Sequence, residues 1–467
     1  MIGLQYYLAV DIGASSGRHI IGWVQDGKMM LEEVYRFENN LQKKNGSLCW
    51  DTDHLFASIV EGMKACKQIG KIPTTMGIDT WAVDFVLLDD NGNRLGNTVG
   101  YRDSRTEGMD KLAEQTLSFE ELYAKTGIQK QLFNTLYQLL AVKKGTPQLL
   151  DKAKRFLMIP EYFNFRLTGV AKNEYTNATS TAMVNAHTKT WDTDLMNLYG
   201  IPTHLFGDLA MPGESVGNLL PELREQVGFD CTVILPATHD TGSAFLAVPA
   251  ANDTSVYISS GTWSLLGVEN KQAITTRESA KANFTNEGGY NYRFRYLKNI
   301  MGLWMIQSIR RNYNKQYSFA DLENMAKECA DFPSVVDVNH PDFLAPESMV
   351  EAVKNRCAAT GQAVPQSVGE LMQCVYQSLA KSYAVAIKEL SDLTGVTYTH
   401  VHIVGGGSKD GYLNGLTASA TGLPVIAGPT EGTALGNLMV QMMAGGDFAD
   451  LQQARNAIAK SFELKEF

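Results

Sequence analysis

The sequence has no run of the ~20 consecutive apolar residues that a membrane-spanning helix requires. Its first apolar stretch stops at Asp11, and no basic leader precedes it, so a secretory signal is not expected here. Basic residues are in deficit: 41 Lys and Arg against 50 Asp and Glu leave a net charge of −9. Bulk affinity for nucleic acid or anionic membrane needs basic surface, and this balance argues against it. Cysteine is sparse, six residues scattered without a C-x-x-C pair. Free thiols in a reducing cytoplasm are therefore expected, with a Cys357–Cys374 bridge as the alternative. Two common nucleotide motifs are missing as well. "GASSGR" lacks the spacing and the lysine of G-x-x-x-x-G-K-[ST], and Asp410 in "GGGSKDG" occupies the place of the third Gly of G-x-G-x-x-G. A Walker-type NTPase and a Rossmann dehydrogenase are both disfavoured.

What is present is one kind of phrase, written twice. "YLAVDIGASSGR" (7–18) and "VYISSGTWSLLG" (256–267) each carry an apolar run into a Gly and small hydroxyl residues. The first reads as a strand and a tight turn, followed by two strands about the "QDGK" turn. "LFASIVEGMKACKQIG" has helical periodicity, and residues 107–200 read as mostly helical. "TVILPATHDTGSAFLAV" reads as strand, polar turn and helix start. The pattern then restarts: hairpin, a long amphipathic helix ending at a Gly, and two strand–loop–helix units at "HVHIVGGGS" and "VIAGPTEGTALGN". No Pro-rich linker or short repeat intervenes. Two α/β halves are expected, 1–246 and 247–467.

The turns suggest phosphate chemistry. Gly13 lets backbone N–H groups approach an anion, Ser15 and Ser16 add hydroxyls, and Arg18 adds a charge-assisted donor. Ser260, Gly261 and Thr262 offer the same from the other half. Gly405, Gly406 and Gly407 clear side chains from a surface where a base or ribose could lie. Asp240 in "THDTGSA" sits in a turn after a strand, where α/β folds bind ligands; it suits a general base, or a helix N-cap. Asp11 suits Mg²⁺, directly or through water. Asp79, Trp81 and Asp84 in "GIDTWAVDF" read either as a sugar-gripping face or as an edge strand. His400 and His402 read as ordinary strand residues.

Taken together, these stretches resemble the FGGY carbohydrate kinases. "YRDSRT", "FNTLYQL", "EYTNATST", "NEGG" and "LKNIMGLW" resemble that family too, in order, from residue 7 to about 437. The resemblance implies an actin-like, ribonuclease H-like α/β fold of two domains with an interdomain cleft, and ATP as phosphoryl donor with Mg²⁺. Within the family, the text is most like members acting on L-rhamnulose at its 1-hydroxyl. Fuculose, xylulose or glycerol as acceptor, or an actin-like ATPase without one, are the alternatives. By the same resemblance Asp240 is the catalytic base. Ala82, His239, Thr241 and Asn299 contact the sugar. Ala14, Ser15, Ser16, Gly17, Arg18, Thr262, Gln307 and Gly406 contact the nucleotide. Ala82 departs from a Gly frequent at that position, which bears on the choice among ketoses.

Overall fold

The apolar run Tyr7–Ile12 (β1) is buried along its whole length in the structure, a computed structural model that describes residues 4–250 and 252–467. β1 pairs antiparallel with Ser16–Gln25 (β2), which pairs antiparallel with Lys28–Glu38 (β3). The turn between β2 and β3 puts Asp26 and Gly27 at φ 52° and 72°, the left-handed geometry that twists a two-residue hairpin correctly. On its other edge β1 runs parallel to Thr75–Thr80 (β4), in a register that sets Asp11 beside Asp79. Ser215–Asn218 (β5) and Thr232–Ile234 (β6) complete the order β5-β6-β4-β1-β2-β3. Helix Thr52–Gln68 (α1) buries Leu55, Ile59, Val60 and Met63 in the core that holds this sheet. It begins three residues before its apolar periodicity does, because the Asp51 side chain accepts the His54 N–H and caps it.

A second sheet repeats the plan. Ser255–Ser260 (β7) and Trp263–Asn270 (β8) form the hairpin, and β7 runs parallel to His400–Val404 (β11), itself parallel to Val425–Ala427 (β12). With Thr285–Gly288 (β9), Phe294–Met301 (β10) and Lys465–Glu466 (β13) the order is β9-β10-β8-β7-β11-β12-β13. In each sheet a central strand has an antiparallel hairpin partner on one side and parallel strands on the other. The phrase written twice is thus a topology built twice.

Packing divides the chain into two units. One comprises the residues up to Ala247 with Glu269–Tyr296 and Thr433–Ser461; the other comprises Val248–Val268, Leu297–Gly432 and Phe462–Phe467. The long amphipathic helix, Val368–Thr394 (α6 below), starts at a Ser367–Glu370 capping box and stops at Gly395, whose φ is 70°. Before it in the chain come Thr135–Gly145 (α2), Tyr175–Thr179 (α3), Asp240–Leu246 (α4) and Trp304–Asn312 (α5); Gly432–Ala444 (α7) follows. Besides the two-residue Asn173–Glu174, the mostly helical stretch contains the strand Arg155–Met158, paired antiparallel with Phe85–Leu88. Phe156, Leu157 and Met158 are consecutive and all buried, so no alternation marks this strand in the sequence. The Cys357 and Cys374 sulfurs face each other at 3.8 Å, unbonded. Among the described residues no helix is long and apolar enough to cross a membrane.

Candidate active site

Asp240 is the first residue of α4, and His239, not Asp240, occupies the N-cap position. The segment before it is fixed by the neighbouring strand and by a buried carboxylate. Thr80 N–H donates to Thr238 O at 2.9 Å, extending β4. Glu174, fully buried, accepts the Thr238 hydroxyl at 2.6 Å and the Thr176 amide at 2.7 Å, joining the turn to the start of α3. Asp240 accepts one internal hydrogen bond, from the Thr241 amide at 2.6 Å, and keeps 29% of its side chain exposed. Burial of that carboxylate pushes its pKa up to about 6, and the charge of Asp11 adds to the effect. A carboxylate that is half open, lightly bonded and raised toward neutrality is suited to receive a proton.

Beside it lie two more carboxylates. Asp11 and Asp79 are partners in the β1–β4 register. Arg18 reaches Asp11 Oδ2 through Nε at 3.1 Å and Nη2 at 2.9 Å. Asp79 is fully buried; its Oδ2 accepts Asn437 Nδ2 from α7 at 2.6 Å, while Oδ1 has no hydrogen-bond partner among the described residues. Burial first, then the charges of Asp11 and Asp240, raise the Asp79 pKa well above its ordinary value. α7 comes this close because Gly436 packs on the backbone of α4, where a Cβ would meet Ser243 O at 1.8 Å. The sequence reading grouped Asp79 with Trp81 and Asp84; its neighbours are instead Asp11 and Asp240.

Asp84 has a different office. It is wholly buried and accepts Trp50 Nε1 at 2.6 Å, Trp81 Nε1 at 2.9 Å, Gln138 Nε2 at 3.0 Å and the Tyr101 amide at 3.0 Å. Trp81 is buried as well, its ring 4.2 Å from that of Trp50. The expected sugar-gripping face of Trp81 and Asp84 is therefore corrected: both are spent inside the fold. What they hold is a tight turn. Asp84 N–H donates to Ala82 O at 2.9 Å across Val83, a β-branched residue at φ 67°. Such a conformation costs about 1–3 kcal/mol, and hydrogen bonds to a carboxylate at about 1.5–3 kcal/mol each are enough to outweigh it. Thr135 and Gln138 of α2 add bonds to Val83 O. "YRDSRT", "FNTLYQL" and "GIDTWAVDF" thus converge on one cage, which leaves Ala82 half exposed.

The first hairpin turn is braced by Asn39, whose side chain donates to Gly13 O at 2.8 Å and whose amide donates to Ser15 O at 3.1 Å. Ala14 and Ser16 are half exposed and Ser15 is exposed. Gly17 is buried, and a Cβ there would run into the Phe37 ring, so its glycine has a packing reason. In the second unit, Gly261 O and Thr262 O accept the amides of Leu303 and Trp304 at 3.0 and 3.2 Å, tying that turn to the start of α5, which carries Gln307. Asn299 in β10 is half-buried with Oδ1 unpartnered. The three glycines separate: a Cβ on Gly405 or Gly407 would strike Ser260, whereas Gly406 is exposed with nothing within 4 Å. His400 and His402 lie in β11, His402 buried against Tyr257. Among the described residues no group of three or more His, Cys, Asp or Glu is arranged to hold a metal ion.

The model of the FGGY family of carbohydrate kinases matches the chain twice, its N-terminal domain over residues 6–247 and its C-terminal domain over 256–445. The chain belongs to this family. It is an FGGY carbohydrate kinase of α/β fold. It is 54% identical over 460 residues to a rhamnulokinase of Oceanobacillus iheyensis, covering 98% of this chain and 97% of that one. It is 52% identical to a rhamnulokinase of Halalkalibacterium halodurans, covering 99% of each. To one of Bacillus subtilis it is 43% identical, covering 99% of this chain and 95% of the other. Among solved structures, a gluconate kinase from Lactobacillus acidophilus superposes with a TM-score of 0.81 at 17% identity, covering 100% of this chain and 94% of that one. A Plasmodium falciparum glycerol kinase with ADP does so with a TM-score of 0.77 at 13% identity, covering 99% and 94%. These structural likenesses speak for the fold. In this FGGY kinase the residues that reading the sequence passed over are Glu174, Asn437 and the partnership of Asp79 with Asp11. "EYTNATST" and "EGTALGN" carried them, but the contacts span 64 and 358 residues of sequence separation.

Proposed function

We propose that the protein transfers the γ-phosphate of ATP to the 1-hydroxyl of L-rhamnulose, giving L-rhamnulose 1-phosphate and ADP. The observation that carries the chemistry is Asp240, half-exposed with its pKa raised to about 6. As the sugar oxygen attacks the γ-phosphorus, Asp240 takes the hydroxyl proton; the new P–O bond forms while the bond to the ADP oxygen breaks, the electron pair leaving with ADP. His239, Thr241, Ala82 and Asn299 are assigned to the sugar, the Asn299 Oδ1 being a buried acceptor with no partner among the described residues. Ala14 to Arg18, Thr262, Gln307 and Gly406 are assigned to the nucleotide, with one phosphate turn in each of the halves 1–246 and 247–467. The choice of L-rhamnulose rests on the near-full-length relatives.

Asp11 and Asp79 fit a Mg²⁺ held through its own waters. Asp79 Oδ1, without a hydrogen-bond partner among the described residues and close to the charges of Asp11 and Asp240, is a place where a hydrated cation would favour the ionised carboxylate. When bound, the ion neutralises charge on the phosphates. Arg18, paired to Asp11, stands ready to exchange that carboxylate for a phosphate oxygen.

The test is a panel of L-rhamnulose, L-fuculose, D-xylulose and glycerol in a coupled assay of ADP release. L-Rhamnulose should give the highest kcat/KM, and no preference for it would remove the substrate assignment. ADP release that does not depend on any sugar would favour an ATPase without a small acceptor.

A further inference from the structure

The "NEGG" stretch has no part in the chemistry above, yet it delivers a charge to the catalytic turn. Glu287 of β9 and Arg295 of β10 form an ion pair at 3.0 Å, with Arg295 only 1% exposed. Glu287 ionises despite its burial because the Arg295 charge beside it holds its pKa below the ordinary value. Arg295 Nε donates to Gly288 O at 3.0 Å, which fixes the guanidinium plane. Gly288 permits the approach, since a Cβ there would meet the Tyr175 ring at 2.5 Å. The two remaining nitrogens grip the residues on either side of Asp240. Nη1 donates to Thr241 Oγ at 2.7 Å, and Nη2 lies 3.1 Å from His239 Nδ1. His239 Nε2 lies 2.9 Å from the same Thr241 oxygen.

Donor counting then limits what Thr241 can do. Nδ1 faces a donor, Arg295 Nη2, and an acceptor, Glu287 Oε2 at 3.2 Å; Arg is a donor only, so the tautomer that keeps the Arg295 bond has Nδ1 as the acceptor and the ring proton on Nε2. Nε2–H and Arg295 Nη1–H together occupy both lone pairs of the Thr241 hydroxyl. Its one remaining capacity is to donate.

We propose that Arg295 and Glu287 are positioning residues for the sugar: the buried pair holds His239 as the Nε2–H tautomer and reserves the Thr241 hydroxyl as a hydrogen-bond donor to an acceptor oxygen of the ketose. This rests on the reading of residues 239–241 as the sugar-binding and catalytic turn.

The test combines kinetics with ¹⁵N-histidine NMR of the full chain, His239→Gln serving to assign the ring. Wild type shows Nε2–H at His239. Arg295→Met moves the proton to Nδ1, where Glu287 Oε2 at 3.2 Å accepts it. In that variant kcat/KM for the sugar falls about 10²-fold, the scale of a misplaced contact, while KM for ATP stays within about twofold. A lone buried charge destabilises, so the single variants Arg295→Met and Glu287→Gln lose Tm. The double variant Arg295→Met/Glu287→Gln carries no such charge: its Tm returns toward wild type, but its sugar kcat/KM does not. Recovery of activity together with Tm would make the pair merely structural, and an Nδ1–H signal in wild type would overturn the donor assignment. Asp240→Asn separates the two levels, because turnover by that variant would remove the catalytic reading and leave the tautomer result intact.

Discussion

The two sheets share a strand order but not a charge pattern. In the first, Asp11 stands two residues before the turn glycine, opposite Arg18 on β2 and beside Asp79 on β4. In the second, the residue two before Gly261 is Ser259, and its partners are Leu265 on β8 and Val404 on β11. Beside the turn glycine, one backbone plan thus carries titratable side chains in one copy and a hydroxyl with apolar partners in the other. The turns differ in bracing too: Asn39 holds the first, and the start of α5 holds the second. The plan offers two small turns, and only the first has an Asp and an Arg paired beside its glycine. The second copy is left with hydroxyls, backbone and a bare glycine surface, which suit binding better than proton transfer.

The hardest blow to that division of labour would come from Asp240. Asp240→Asn should lower kcat by about 10³-fold or more, toward the upper range for a lost general base, while ATP affinity, measured by calorimetry, changes little. In the unaltered protein, a carboxylate at about 6 is the competent base only above that pH. The kcat/KM for sugar should therefore fall as pH drops through 6, by about tenfold per unit once well below it. A flat acid side down to pH 5 would say that another group takes the proton.

A paired substitution sharpens the contrast between the sheets. Asp11→Asn should reduce kcat by about 10²-fold, the scale of one fixed electrostatic group in a phosphoryl-transfer site. Ser259→Ala at the equivalent place should change it by less than about threefold. Comparable losses would mean that the second sheet also carries chemistry. Arg18→Ala should act on the nucleotide side of the first turn. Loss of a charge-assisted hydrogen bond of about 1.5–3 kcal/mol raises KM for ATP roughly ten- to a hundredfold, with a smaller change in KM for sugar. The reverse order would move Arg18 to the sugar.

Local signals made much of this legible. The "QDGK" turn, the hairpin at Gly13, the Gly395 stop and the turn ahead of Asp240 are each written within a few residues, so the fold plan could be read and Asp240 singled out as the candidate base. Asp84 was misread because alternation predicts a strand, in which side chains 79, 81 and 83 share a face. The positive φ of Val83 breaks that alternation, and no glycine announces it. Asp79 was placed with the wrong neighbours since its partner is set by parallel register, 68 residues away in sequence from Asp11. Glu287 and Arg295 reach the turn around Asp240 from a segment, Glu269–Tyr296, that packs with the first unit without any compositional mark.

The smallest effect expected is also the cleanest probe of the second unit. At Gly407 a Cβ would lie 2.0 Å from Ser260 Oγ, so Gly407→Ala should destabilise by about 1–3 kcal/mol, read as a lower Tm. Gly406 has open space where a Cβ would go and an ordinary backbone, so Gly406→Ala should leave Tm unchanged or raise it slightly. If the nucleotide lies on that bare surface, the added methyl raises KM for ATP by a few-fold and spares KM for sugar. An unchanged KM for ATP in a protein of normal Tm would mean that Gly406 is open to solvent rather than to the base, leaving Thr262 and Gln307 to hold the nucleotide from this unit.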